Sequence, residues 1–476
     1  MGYGTPHQEV PQPMTTADRT ITEVTARFII DTNYADLPDA LRKEAQRCIL
    51  DGLAVMLAGT TEDCTKIIHQ YITDLGVSGS SRVPGTSASY PAEFAALASG
   101  VSGHAHDFDD TQIASAPNRV YGLLTHPTVP ALSAALAVGQ ETGASGKDLM
   151  TAFCIGLEVE CKLNEAINPR HYEQGFHSTG TFGVFAGAAV SAKLLGLNLD
   201  TTRMALSIAA SKSAGIRCNF GTMTKPYHSG AAAQNGVVAA RLASMGYEAD
   251  PSGLDGPWGY FAVAGGGVDE EYVRGKLGNP WALLDPGVSV KPYPCGSLLH
   301  PTMDALRELV IENDVAPENI EDVRLGTASN VINALRYAAP ENALQAKFSI
   351  QFMLGVLALR RKAGIAEFRD AVVSSPDVQA MMQRVKPYLD PEIEAQGFER
   401  IRSRVEVVLK DGSTLTREAS VSRGTPERPM TPDELAEKFI DCATGVISPE
   451  AITKTIETVR NVESLASVSE LLDALG

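Results

Sequence analysis

A helical period carried by very small side chains runs almost unbroken through residues 20–245, and it restricts this chain to folds built on packed helices. In LPDALRKEAQRCILDGLAVMLAG, the residues Leu41, Ala45, Cys48, Ile49, Leu53 and Met56 recur at three- and four-residue steps. That spacing gathers apolar side chains on one helix face. The same period marks 92–100, 128–142, 146–164, 181–195, 201–214 and 229–245. Gly59, Gly143, Gly196 and Gly246 each follow a periodic stretch, where a helix stop is expected. Runs such as GVFAGAAVSA and GAAAQNGVVAA leave little side chain between neighbouring backbones, so these helices are expected to approach closely.

The pattern changes near Trp281. SVKPYPCGS, VRLGTAS and RIRSRVEVVLKDGSTLTREASVS read as strands. In the last, Val405, Val407 and Leu409 alternate with Arg404, Glu406 and Val408 before a Lys410-Asp411-Gly412-Ser413 turn. Helical stretches at 301–313 and 347–363 lie between the strands, and helical period returns at 435–444 and 449–475. A chain of 476 residues is long for one core. The expected fold class is mainly α with α+β: a large all-helical domain of 15–285 with 425–476, and a smaller α+β domain of 286–424 inserted before the C-terminal helices.

A net charge of −17 opposes a nucleic-acid partner, which would be met by a basic stripe. It also requires any anionic substrate to find a locally positive pocket. The seven cysteines are scattered, odd in number and without a CxxC pair, as in a reducing compartment. Residues 1–14 are polar and lack the apolar run of a signal peptide. The apolar stretch 179–197 contains Lys193 and much Gly, Ala and Ser. It reads as a buried helix and not as a membrane span, which needs about 20 mostly apolar residues. A cytoplasmic protein with neither membrane nor nucleic-acid partner is expected.

Three stretches concentrate the polar chemistry: HAHDFDDT at 104–111, GFHSTGTFG at 175–183 and NFGTMTKPYHSG at 219–230. Of nine histidines, His104, His106, His177 and His228 fall in them, and His126 follows in LLTHP. Such composition suits turns at the mouths of buried helices, where backbone N–H groups can meet an anion. An enzyme acting on a small anionic molecule is implied. Other readings stay open. His104-x-His106 with Asp107, Asp109 and Asp110 has the ligand types for a divalent metal, although no HExxH or Cys/His set completes a site. The same stretch also reads as a solvated acidic loop, which fits Asp110 better than Asp107, or as a source of a proton carrier or an orienting carboxylate. His126 precedes Pro127 and reads equally as a helix-end or core histidine. Ser178 and Thr179 could cap the helix after His177. Lys225 opens an Ala/Gly-rich helix with no further charge until Arg241. It reads either as a desolvated carboxylate-binding or proton-transferring group, or as a snorkelling surface lysine. No GxxxxGK loop, strand-led GxGxxG or GxSxG elbow is present. What remains is acid–base chemistry by His, Lys and Asp without a cofactor.

ILDGLAVMLAG (49–59), AHDFDDT (105–111), THP (125–127), GFHSTGTFG, NFGTMTKPYHSG, KPYPCGSLLHP (291–301) and AKFSIQF (346–352) together resemble the MmgE/PrpD family. That family includes 2-methylcitrate dehydratases, cis-aconitate decarboxylases and iminodisuccinate epimerase. The resemblance implies a large all-helical domain with a smaller α+β lid, usually as a homodimer, and no metal or organic cofactor. Matched to the decarboxylase motifs, it implies an active-site Asp107 and Thr111, pocket histidines His126 and His177, and pocket lysines Lys225 and Lys291. One position departs: a decarboxylase histidine five residues after the second lysine is Gly296 here, and His300 is the candidate to enter the pocket instead. The implied roles are Asp107, His126, His177 and Lys225 in catalysis, with Asp107 and His177 moving protons. Thr111, Lys225, Lys291 and His300 would bind substrate. The expected function is a cofactor-independent, dehydratase-type lyase of a citrate-like di- or tricarboxylic acid, acting by proton abstraction next to a carboxylate. An epimerase or isomerase, a decarboxylase and a non-enzymatic polycarboxylate-binding protein are the alternatives.

Overall fold

The computed structural model describes residues 19–112, 125–397 and 400–476; the stretch 1–14 and residues 15–18 of the first expected domain lie outside them. The architecture is mainly α, with one four-stranded sheet and a short ladder between Ser81–Arg82 and Ser89–Tyr90. The helices that carry the site are α1 (Asp39–Gly59), α2 (Ala92–His104), α3 (Thr128–Thr142), α4 (Gly146–Glu165), α5 (Ser178–Leu194) and α6 (Thr224–Ser244). Helix α5 is buried on every side from Ser178 to Ala192, as its uniformly small sequence requires. Helix α6 crosses both α2 and α5. A Cβ built on Gly100 would lie 2.6 Å from the Gly230 Cα, and one on Gly236 would lie 2.5 Å from the Gly187 carbonyl carbon. Glycine is needed at these crossings because the backbones touch.

Beyond Trp281 a second apolar cluster forms from residues between Tyr293 and Ala419. Its sheet has strands β1 (Ile320–Thr327), β2 (Val385–Leu389), β3 (Ser403–Leu409) and β4 (Thr414–Ala419), in the order β2-β1-β3-β4. β1 pairs in parallel with β2 and antiparallel with β3, and β3 and β4 form the hairpin expected from the alternation of Val405 and Val407. Helices α7 (His300–Glu312) and α8 (Ile350–Arg360) pack on this sheet. The C-terminal helices α9 (Pro432–Ala443) and α10 (Pro449–Arg460) return to the first region, where Leu435, Phe439 and Cys442 share an apolar cluster with Leu53 and Met56.

Two expectations fail locally. SVKPYPCGS is not a strand: it makes one bridge, Ser289 to Thr111, because Pro292 and Pro294 have no N–H to give a ladder. The helix expected over 449–475 stops at Arg460 and resumes at Val468–Ala474, where Ser467 and Glu470 form a capping box. Among the described residues no helix is long and apolar enough to cross a membrane.

Candidate active site

The site is built around the irregular segment that follows α2. Its Asp107 has φ +51°, a left-handed conformation uncommon outside glycine and more tolerated by Asp than by most residues. Irregular backbone leaves carbonyls without ladder partners, and buried carbonyls must find donors elsewhere. Here three buried lysines supply them. Lys347 Nζ donates to Ala105 O at 3.0 Å, Lys291 Nζ to Asp107 O at 2.8 Å and Lys438 Nζ to Phe108 O at 2.9 Å. The segment is thus clamped by residues far ahead in the chain.

Two of the ammonium groups also meet the Asp107 carboxylate, with Oδ1 at 2.6 Å from Lys225 Nζ and 3.2 Å from Lys291 Nζ. Lys225 lies in the first turn of α6, so the helix itself aims it. Its Nζ further donates to His104 Nε2 at 2.7 Å, while both Asp109 oxygens lie within 2.9 Å of His104 Nδ1. A carboxylate at Nδ1 fixes the proton there and leaves the Nε2 lone pair for the lysine. His126 donates its backbone N–H to Thr179 Oγ1 at 3.0 Å. Its ring nitrogens lie 3.8 Å from Asp107 Oδ1 and 3.5 Å from Asp109 Oδ1. His177 is the N-cap of α5; its Nδ1 lies 3.0 Å from His228 Nδ1, and its buried Nε2 has no hydrogen-bond partner among the described residues.

Burial governs the charges. It drives the imidazoles of His126 and His177 below their ordinary range and His104 down to about 3, so all three are neutral at pH 7. Burial pushes the Asp107 carboxyl up, but the Lys225 and Lys291 ammonium groups override it and hold the group below the usual carboxylate range. Lys225 is lowered by burial, with partial compensation from Asp107.

All of these groups except His104 line a cleft with about 530 Å³ of empty space. Asp107, Thr111, His126, His177, Lys225 and Lys291, all expected at the site, come together there. His300 does not: its Nε2 faces Cys295 O at 3.1 Å, because the turn after Cys295 carries the imidazole back under its own backbone. Asp110 is not a solvated acid. It is fully buried and accepts from the N–H and hydroxyl of Thr128, at 3.2 and 2.5 Å, at the start of α3. Neither Ser178 nor Thr179 caps α5; the Thr179 hydroxyl serves His126 instead. His228, Tyr172, Phe220 and Phe348 carry no site signal in the sequence, and Asp109 reads there only as a metal-ligand type. The five-residue step from His104 to Asp109 across a helix end was the one local signal available for a pair.

The donor atoms of His104, Asp107, Asp109 and His126 lie within 4.8 Å of one another, close enough to hold a metal ion. Yet Asp107 Oδ1 and His104 Nε2 are the atoms that Lys225 already binds. Those two atoms could reach a metal ion only by giving up the ammonium; His104, His126 and His177 form a second set of close donors.

Residues 23–272 match the MmgE/PrpD N-terminal domain and residues 293–464 the MmgE/PrpD C-terminal domain. The chain is 29% identical over 468 residues to the cis-aconitate decarboxylase of Homo sapiens, covering 96% of this chain and 95% of that one. It is 28% identical over 462 residues to the cis-aconitate decarboxylase of Aspergillus terreus, covering 92% of each. To the 2-methylcitrate dehydratase of Escherichia coli strain K12 it is 24% identical over 380 residues, 76% of each chain.

Proposed function

Since this chain belongs to the MmgE/PrpD family, we propose that its cleft is the active site of a cofactor-independent lyase that moves a proton at the carbon next to a carboxylate of a citrate-like acid. Dehydration is the leading reaction. The observation that carries the reading is the pairing, in one buried cleft, of two ammonium groups with a neutral imidazole whose Nε2 is unpartnered. Carboxylate recognition needs the first; α-proton removal needs the second.

In this reading Lys291 and Lys225 hold the substrate carboxylates and the enolate charge that grows on one of them. His177 Nε2 takes the α-proton. The C–O bond at the neighbouring carbon then breaks, its oxygen leaves as water with a proton from the Lys225 ammonium, and the electron pair forms the double bond. Asp107, held ionised between the Lys225 and Lys291 ammonium groups, orients the two lysines in this reading. His126, neutral and beside Asp107, is the second proton carrier available. Residues 286–424 act as a lid on a body made of 15–285 and 425–476, and Lys291 couples the two.

A carboxy-lyase is the second reading, supported by the decarboxylase relatives, which the chain matches over more of its length than it does the dehydratase. Incubating di- and tricarboxylic acids with the protein in D₂O and following them by ¹H NMR tests both. An alkene formed with retention of every carboxylate supports dehydration, and release of CO₂ supports the second reading. Deuterium washed into otherwise unchanged acid reveals an epimerase or isomerase. Tight binding with no exchange leaves a binding protein.

A further inference from the structure

The titratable groups of the cleft are Asp107, His126, Tyr172, His177, Lys225 and Lys291. Its apolar lining is a wall of Gly296, Leu298, Ala334, Leu335, Phe348 and Phe220, to which Ser297 adds a hydroxyl. This wall is continuous. A Cβ at Gly296 would lie 2.7 Å from Leu335 Cδ2 and 3.7 Å from Phe348 Cδ1. The Phe348 ring stacks on Phe220 with centroids 5.7 Å apart, and Phe220 meets the His177 ring edge-on at 4.9 Å. Lys225 Nζ sits 5.4 Å over the Phe220 ring, so the charged and apolar halves join at the two groups proposed to move protons.

We propose that the substrate is a dicarboxylate carrying an apolar substituent where a citrate-like acid would carry its third carboxylate. This rests on the polycarboxylate reading above and narrows it. Two ammonium groups, Lys225 and Lys291, face the cleft and share the one Asp107 carboxylate, so there are donors for at most two substrate carboxylates. A third would have to lie against the Leu298–Leu335–Phe348 wall, which contributes no cationic side chain of its own; Lys225 Nζ stands 5.9 Å over the Phe348 ring but is already bound to Asp107 and His104. Lys347, next to Phe348 in the chain, is turned away: its Nζ bonds Ala105 O at 3.0 Å and lies 3.5 Å from His106 Nδ1. An uncompensated carboxylate against such a wall pays a desolvation penalty, whereas an alkyl group gains from leaving water. Each buried methylene is expected to improve binding about fourfold.

The test uses the full-length protein with 2-hydroxysuccinates bearing hydrogen, methyl, ethyl or propyl at C3, alongside citrate and cis-aconitate. Turnover is read by ¹H NMR in D₂O. The expected result is a kcat/KM that climbs about fourfold per carbon through at least ethyl, with both tricarboxylates below the methyl compound. Leu335→Lys, which sets an ammonium on the wall, should reverse the order in favour of citrate. Leu298→Lys repeats the test from the neighbouring position if the first variant does not melt as a folded protein. Tricarboxylates turned over faster than every alkyl dicarboxylate by the unaltered protein would overturn the inference while leaving the lyase reading intact. CO₂ loss from cis-aconitate at the highest rate in the series would do the same, because the wall would then receive the departing carboxylate. No reaction or exchange with any member would remove the lyase reading and this inference together.

Discussion

Two buried lysine–aspartate pairs flank the same irregular segment, and only one of them faces the cleft. Lys225 meets Asp107 at 2.6 Å and Lys438 meets Asp51 at 2.6 Å, all four residues nearly inaccessible. The difference lies in what else each carboxylate has. Asp107 has a second ammonium, Lys291, at 3.2 Å, and its lysine opens on the cleft. Asp51 has one cation, sealed between α1 and α9, and the Lys438 ammonium also lies 3.9 Å over the Phe108 ring. The first pair has charge to spare for a ligand. The second has none, and holds the segment in place.

Acid should break both sides at once, and this is the largest expected effect. Burial lowers His104, His106 and His300 from 6.5 to about 3, so the unfolded chain binds more protons than the folded one between those values. Their contribution is fully present above pH 6.5 and is lost as pH falls toward 3. Asp110 and Glu158, each pushed up to about 7 by burial, act in the opposite sense. Asp51 and Glu160 are raised too, but His69, His126, His171, His177 and His228 are lowered as well, so the imidazoles prevail. Urea melts should lose about 1.4 kcal/mol per pH unit for each net proton taken up. A stability that is flat from pH 7 to 4 would mean these imidazoles are not held neutral by the fold.

Substitution should then separate the two sides. Lys438→Ala leaves Asp51 buried and uncompensated, a change that typically costs about 3–5 kcal/mol, and kcat of the folded fraction should stay near the parent value. Lys225→Met should do the reverse. Asp107 keeps Lys291, so the melt should move little, while kcat falls about 10²–10⁴-fold if the ammonium is the proton donor. Similar losses of stability in both variants would erase the distinction drawn from their partners.

The helical body and the β3–β4 hairpin were legible in the sequence because periodicity and the KDGS turn are local. Lys225, His126 and His177 were legible as candidates through residue type in short motifs with Gly or Pro, and Lys291 through the family resemblance of KPYPCGSLLHP. Other features depend on partners far away in the chain. Lys347 and Lys438 read as ordinary lysines until their carbonyl partners, 242 and 330 residues away, are brought to them by folding. Asp110 reads as solvated until Thr128 covers it. His300 fails for a geometric reason that spacing does not encode, the direction of the turn at Gly296. The apolar wall is likewise assembled from four separated stretches, around Phe220, Gly296–Leu298, Ala334–Leu335 and Phe348, none of which shows by itself that it faces the others.

A smaller effect is expected at Lys291. It bonds the Asp107 carbonyl as well as its carboxylate, so it belongs to both sides of the comparison. Lys291→Ala should raise KM ten- to about a hundredfold, corresponding to a charge-assisted bond of roughly 1.5–3 kcal/mol, and should also lower the melting temperature. A rise in KM without any loss of stability would place Lys291 wholly on the substrate side.

The smallest effect should come from Asp109, which touches neither the cleft nor Lys225 directly. Its charge reaches Lys225 through His104, whose Nδ1–H it holds, and it favours the ammonium form. Asp109→Asn can keep the imidazole tautomer, because the amide oxygen still accepts from Nδ1–H, but it removes the negative charge. The Lys225 pKa, already lowered by burial and by Lys291 and supported by Asp107 and Asp109, should fall further. If the ammonium is the form that works, the alkaline limb of kcat should move to lower pH by about one unit, equivalent to roughly 1.4 kcal/mol, while the plateau below it is retained. The acid limb, set by His126 and His177, should shift as well, because Asp109 favours the His126 imidazolium and its loss extends the neutral form to lower pH. An unmoved profile with a lowered melting temperature would make Asp109 a structural brace for His104, and the electrostatic link from the sealed side of the segment to the cleft would be lost.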